Sequence, residues 1–196
     1  MALLKINDFW NWLELIATIV GMIFVILEVK QKMGMWCANM LSSSMIVAIS
    51  CHQMLWGTMA LNIYYVVMSF VGIYQLNKDK SQTSSDIVVR PITKKVVLTS
   101  IIVFLFSSIV LVFLLKLLND PQPILDALVM PASFIATYWL TKSYIQHWYI
   151  WIVADALMTV LFMLQGSYSV AFMYSFFLGA SIVGLIHWHQ KKTIIA

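Results

Sequence analysis

Trp36, Asn39 and Ser43 are spaced by three and four, so a helix through them carries an indole, an amide and a hydroxyl on one face. Adding 112 to each number gives Trp148, Trp151 and Asp155, a second face of the same register. Indoles stack on flat rings and attract cations, while amide, hydroxyl and carboxylate groups bind hydroxyls or positive charge. Two such faces read as the two walls of one binding cavity, and not as a constellation for breaking a bond. A further stripe, Thr58, Asn62, Tyr65 and Ser69, shares one helix face, and Tyr174 stands 112 residues after Asn62. Tyr64 and Tyr65 are adjacent and point apart, so only one of them can face such a site. The candidate binding set is therefore Trp36, Asn39, Ser43, Asn62, Tyr65, Trp148, Trp151, Asp155 and Tyr174. Asp155 is the sharpest member, because it falls mid-helix in an apolar stretch, where an unpaired carboxylate costs several kcal/mol.

Plainer readings stand beside these. Asn39 and Asp155 can simply bond one helix to another, and Trp148 can anchor a helix end at a membrane interface. Glu28, beside Lys30 and Lys32, reads as a solvated charge at a helix end. His187, Trp188 and His189 read as an interface anchor. Cys37 and Cys51 lie in apolar segments without metal-ligand or disulfide spacing. The sequence contains no H-E-x-x-H, no G-x-S-x-G and no Walker A motif, so neither an enzyme nor an ATP-driven pump is expected, and no cofactor or metal.

The elements that must position these residues are membrane helices. Of 196 residues, 62% are hydrophobic and 10% charged, too few charges to cover a soluble surface of this size. Spans are expected at 9–29, 35–53, 58–76, 96–116, 123–141, 146–164 and 167–188, each about the 20 residues a bilayer requires. The longest polar connection is 77–95; Pro121 and Pro123 open the fifth span, and Gly166 marks the turn before the seventh. The first span has neither a basic leader nor a cleavage site and reads as a retained helix. With seven alternating spans, ten of the twelve basic residues fall on one side, leaving Lys5 and Lys116 on the other. Basic loops stay in the cytoplasm, so the N-terminus is expected outside and the C-terminus in the cytoplasm. The net charge of +4 then reports orientation and not nucleic-acid binding.

The shift of 112 extends well beyond the two aromatic faces. It takes Leu13 to Leu125, Glu14 to Asp126, Lys30 to Lys142, Gln53 to Gln165 and Trp56 to Tyr168. It also takes Ser69 to Ser181, Gly72 to Gly184 and Lys80 to Lys192. The expected architecture is all-α: a three-helix bundle in 1–80, a cytoplasmic loop and connector helix in 81–120, and a second three-helix bundle in 121–196. The connector makes the two triplets parallel, and transporters built from such repeats place their site near midplane between the halves.

With those positions in place the chain resembles the PnuC family of bacterial B-vitamin transporters. The resemblance rests on Glu14 to Gly21, on Trp36-x-x-Asn39 and on Leu55 to Asn62. It is carried further by Lys142 to Asp155, with its Trp-x-x-Trp-x-x-x-Asp pattern, and by Leu164 to Tyr168. It implies uptake of nicotinamide riboside by facilitated diffusion across the inner membrane, with trapping by an intracellular kinase. It also implies a homotrimer with a layout similar to the SWEET sugar transporters. Asn62, where the family usually has Gln, and Glu28 look more like the thiamine-type PnuT branch, so thiamine is the alternative substrate. A SWEET-like sugar uniporter and a ligand-binding membrane receptor that moves nothing are the remaining readings.

Overall fold

The computed structural model describes residues 9–81, 85–118, 123–164, 166 and 168–195. Seven helices cross it: α1 (Phe9–Val29), α2 (Gly34–His52), α3 (Trp56–Lys80), α4 (Lys94–Leu117), α5 (Pro123–Thr141), α6 (His147–Leu164) and α7 (Tyr168–Lys191). All seven are long and apolar enough to span a bilayer. The shortest has 18 residues and the longest 25, which at the helical rise gives about 27 to 38 Å. Every span expected from the apolar runs is present, with ends displaced by no more than four residues. Lys5, Pro121 and Gln165, each used in the sequence reading, lie outside the described residues.

Helices adjacent in sequence pack as neighbours within two triplets, α1 on α2 on α3 and α5 on α6 on α7, and α4 packs against α5. Two seams join the triplets, α1 against α7 and α3 against α5. The shift of 112 exchanges these seams, since it carries α1 onto α5 and α3 onto α7. The backbone keeps the same register. Gln31 and Ser143 both adopt positive φ, at 45° and 56°, and so do Met54 and Gly166, at 57° and 73°. Each pair is related by the same shift, so equivalent turns reverse the chain through equivalent left-handed residues. Only glycine enters that region without steric cost.

The connection between α3 and α4 holds more than a loop. Ile87–Val89 (β1) runs parallel to Lys192–Ile194 (β2), pairing Ile87 with Lys192 and Val89 with Ile194. The side chain of Gln31 completes the ladder from the other edge: its Nε2 donates to the Val88 carbonyl at 2.8 Å, and Val88 N donates to its Oε1 at 2.6 Å. Beside it Asp79, fully buried, is bound by Arg90 Nη2 at 2.8 Å, Gln75 Nε2 at 2.7 Å and Ser143 Oγ at 3.1 Å. The hydrogen bond to Asp79 holds the Arg90 guanidinium above its ordinary range, so it stays charged. Thr93 then caps α4, its hydroxyl accepting from Val96 N. Large apolar side chains point outward along α4, among them Leu98, Ile102, Phe106, Ile109 and Phe113, as expected of a helix facing lipid.

Candidate functional site

A cavity of about 490 Å³ runs between the triplets, from Glu14, Gln53, Leu55 and Thr58 at one end to Glu28 at the other. Its mouth residues Glu14, Gln53, Leu55 and Thr58 are exposed, whereas Glu28 is 1% exposed. Of the nine candidate residues, seven line this space: Asn39, Ser43, Asn62, Tyr65, Trp151, Asp155 and Tyr174. They arrive from α2, α3, α6 and α7, so one pocket is walled by both triplets.

Local hydrogen bonds fix several of these groups. Asn39 Nδ2 donates to Ser69 Oγ at 3.0 Å, and Ser69 Oγ donates back to the Tyr65 carbonyl at 2.8 Å. In the other triplet Ser181, the match of Ser69, donates to Asp155 Oδ2 at 3.2 Å. Asn62 Nδ2 donates to the Thr58 carbonyl at 2.8 Å, leaving its amide oxygen as the acceptor for a ligand. Tyr65 faces the cavity and bonds Ser133, while Tyr64 turns to α5 and donates to the Phe134 carbonyl at 2.8 Å. Tyr174 stacks on Phe162, with centroids 5.6 Å apart and planes at 9°, which presents its ring as a rigid wall.

Trp36 and Trp148 lie elsewhere. They share their helix faces with Asn39 and Trp151, but one turn nearer the helix starts, and they join the buried core with Met35, Leu76, Leu140 and Trp188. Each indole is laid across a glycine of the third helix in its triplet. A Cβ at Gly72 would stand 2.2 Å from the Trp36 ring, and one at Gly184 2.5 Å from the Trp148 ring. Both indole N–H groups are buried without a hydrogen-bond partner. These side chains fill packing notches and do not reach the cavity.

Three residues read as peripheral in the sequence, or passed over there, are central. Glu28 is buried and not a solvated helix-end charge; its Oε1 lies 3.1 Å from Nε2 of His147, itself 0% exposed. Trp188 is also 0% exposed, not an interface anchor, and its Nε1 donates to the Val29 carbonyl at 3.1 Å and the Glu28 carbonyl at 3.3 Å. No local pattern marks His147, because its partner lies 119 residues away. Cys37 and Cys51 are free and exposed on the outside of the bundle.

Among the described residues the lining contains the carboxylates Glu14, Glu28 and Asp155 and no Lys, Arg or His. Aromatic walls come from Tyr65, Trp151, Tyr174 and Phe177. Seven membrane-length helices, six of them lining such a pocket, define the class, a polytopic membrane protein that takes a small polar solute into its bundle. The comparison with known proteins agrees. The family model described as nicotinamide mononucleotide transporter matches residues 11–190, and the chain belongs to that family. Among curated relatives, the nicotinamide riboside transporter PnuC of Escherichia coli is 22% identical, over 84% of this chain and 79% of the relative. PnuC of Neisseria mucosa is 24% identical over 91% and 72%, and that of Haemophilus influenzae 23% over 98% and 90%. A crystal structure of the vitamin B3 transporter PnuC shares the fold, with a TM-score of 0.72 at 24% identity, over 92% of this chain and 81% of that one.

Proposed function

We propose that this protein carries nicotinamide riboside across the cytoplasmic membrane of a bacterium by facilitated diffusion, and that phosphorylation inside the cell traps it. The observation that carries this reading is the sign of the cavity: Glu14 and Asp155 line it without a cationic partner in the lining, Glu28 is held by His147, and the described lining residues include no Lys, Arg or His. Nicotinamide riboside is a flat pyridinium cation attached to a ribose. Trp151 and Tyr174 suit the ring by stacking and cation–π attraction. Asp155 suits its charge or its hydroxyls, and Asn39, Ser43, Asn62 and Tyr65 supply further hydrogen bonds. The phosphorylated form, a mononucleotide, would bring a doubly negative group against these carboxylates with no Lys or Arg among the described lining residues to meet it. The dephosphorylated nucleoside is therefore the substrate.

The seams α1–α7 and α3–α5 support a mechanism in which one three-helix bundle rocks against the other, with α4 as connector between parallel repeats in a SWEET-like layout. The bundles are 1–80 and 121–196. The N-terminus lies outside and the C-terminus in the cytoplasm, as the basic residues argue. The working unit is a homotrimer within the lipid bilayer.

Thiamine is a second reading, favoured by Asn62 and Glu28 on the cavity wall; it is also a cationic heteroaromatic and suits the same carboxylates. The test is uptake of labelled vitamin into proteoliposomes with a concentration gradient as the sole driving force. A parallel thermal-shift panel of nicotinamide riboside, thiamine, riboflavin and deoxynucleosides identifies the ligand, because a ligand bound only to the folded state raises apparent stability. Nicotinamide riboside is expected to shift the melt and to accumulate to equilibrium. Wild-type uptake by both Trp151→Ala and Asp155→Asn would remove this site.

A further inference from the structure

The floor of the cavity is built unlike its repeat-related counterpart. Glu28, His147 and Trp188 meet there, all buried. The positions equivalent to them under the shift of 112 are Leu140, Met35 and Leu76, all buried and apolar. Leucine and methionine are thus enough to fill such a place in this fold. A buried glutamate–histidine pair is the more expensive filling, which points to a use for its charge.

Hydrogen-bond geometry fixes the state of that pair. His147 Nδ1 lies 2.7 Å from the Tyr144 carbonyl oxygen, which can only accept, so Nδ1 carries a hydrogen. The neutral ring would then turn a bare lone pair at Nε2 toward the Glu28 oxygen 3.1 Å away. A proton must therefore occupy this contact as well, on one partner or the other. The pair is net neutral, and His147 masks the charge of Glu28. Trp188 pins the same end of α1 through its bonds to the Glu28 and Val29 carbonyls. The contacts join α1 to α6 and α7 across the seam between the triplets, at the end of the cavity opposite its exposed mouth.

A ligand shifts a conformational equilibrium only by binding one state better than the other. A cation in this cavity has one such opportunity, because Glu28 lines the same space as Asp155 yet is engaged by His147. We propose that the Glu28–His147–Trp188 contact is the gate at the closed end of the cavity and that Glu28 is its second cation subsite. A cationic solute leaving Asp155 takes Glu28 from His147 and so favours the open state. The subsite rests on the transport reading above; the gate does not.

Two measurements test this in the full-length protein. Glu28→Gln keeps a hydrogen-bonding side chain of the same size without its charge. Titration calorimetry should give a nicotinamide riboside affinity within about threefold of wild type, while proteoliposome flux falls about tenfold or more, the equivalent of one lost charged hydrogen bond. Glu28→Asp keeps the charge, controls for folding and should recover part of the flux. Wild-type flux in Glu28→Gln, or lost binding in a variant that melts as wild type, overturns the subsite. The gate is read by thiol labelling of Val25→Cys, one turn above Glu28 on the cavity wall, in a Cys37→Ser/Cys51→Ser background. Adding Trp188→Phe, which removes the bonds to α1, should speed labelling by an impermeant reagent about tenfold from the face that carries Lys30 and Lys142. Equal rates with and without Trp188→Phe overturn the gate. A wild-type protein that binds no nicotinamide riboside removes the subsite along with the transport reading, and the labelling rate still decides the gate.

Discussion

Asp155 sits in the cavity wall, 7% exposed, with the Ser181 hydroxyl as its donor at 3.2 Å. One neutral hydrogen bond is weak compensation for a carboxylate inside a membrane protein, which is why the proposed site sets the cationic ligand against Asp155. Asp155→Asn is expected to weaken nicotinamide riboside binding by about 10- to 100-fold, the range of a hydrogen bond to a charged group. Ser181→Ala should cost less, because the carboxylate remains. Trp151→Ala removes a stacking face worth about 1 to 2 kcal/mol and should raise Kd about 5- to 30-fold by calorimetry. The sequence pattern locates both residues, because helical spacing and the shift of 112 agree at positions 39, 43, 151 and 155. It could not tell how far along the helix the cavity reaches. Trp36 and Trp148 share the face and stop one turn short of it. A signal for their true role was present: a Trp and a Gly recur 36 residues apart in both halves, Trp36 with Gly72 and Trp148 with Gly184. A large residue matched twice to a missing side chain marks a packing notch.

At the scale of elements, those notches lock the second and third helices of each triplet together. A methyl group at Gly184 would lie 2.5 Å from the Trp148 ring, and at Gly72 2.2 Å from the Trp36 ring. Overpacking of this kind costs about 1 to 3 kcal/mol or more. Gly72→Ala and Gly184→Ala should each lower the melting temperature in detergent by several degrees. Gly179→Ala, with nothing within 4 Å of its Cβ, should leave it unchanged. The β1–β2 ladder lies on the same face as the gate, beside the buried Asp79 and its partly exposed partner Arg90. Asp79→Ala strips Gln75, Arg90 and Ser143 of their shared acceptor, at about 1 to 3 kcal/mol for the donors left buried, and should likewise lower the melting temperature by several degrees. Helices were legible because each needs only its own apolar run. The ladder was not, because a three-residue strand has no periodicity and its partner begins more than 100 residues later.

Over the whole molecule, the shift of 112 relates the two triplets, their left-handed turn residues and the two seams between them. Charge breaks that likeness. Asp155 replaces Ser43, and Glu28 and His147 stand opposite Leu140 and Met35, so one face of a near-symmetric frame has become a path of ionisable groups. The sequence carries the seven apolar spans and the register of 112 that the turn residues Gln31 and Ser143, and Met54 and Gly166, keep. It hid the path, since Glu28 and His147 are far apart in the chain and meet only once α1 and α6 are packed. A cavity whose described lining residues include carboxylates and no Lys, Arg or His should accept a nucleoside cation and refuse its phosphate. The most direct measurement is competition against labelled nicotinamide riboside entering proteoliposomes. Unlabelled nicotinamide riboside should abolish uptake, and nicotinamide mononucleotide at the same concentration should leave it unchanged. Equal inhibition by the mononucleotide would contradict the account.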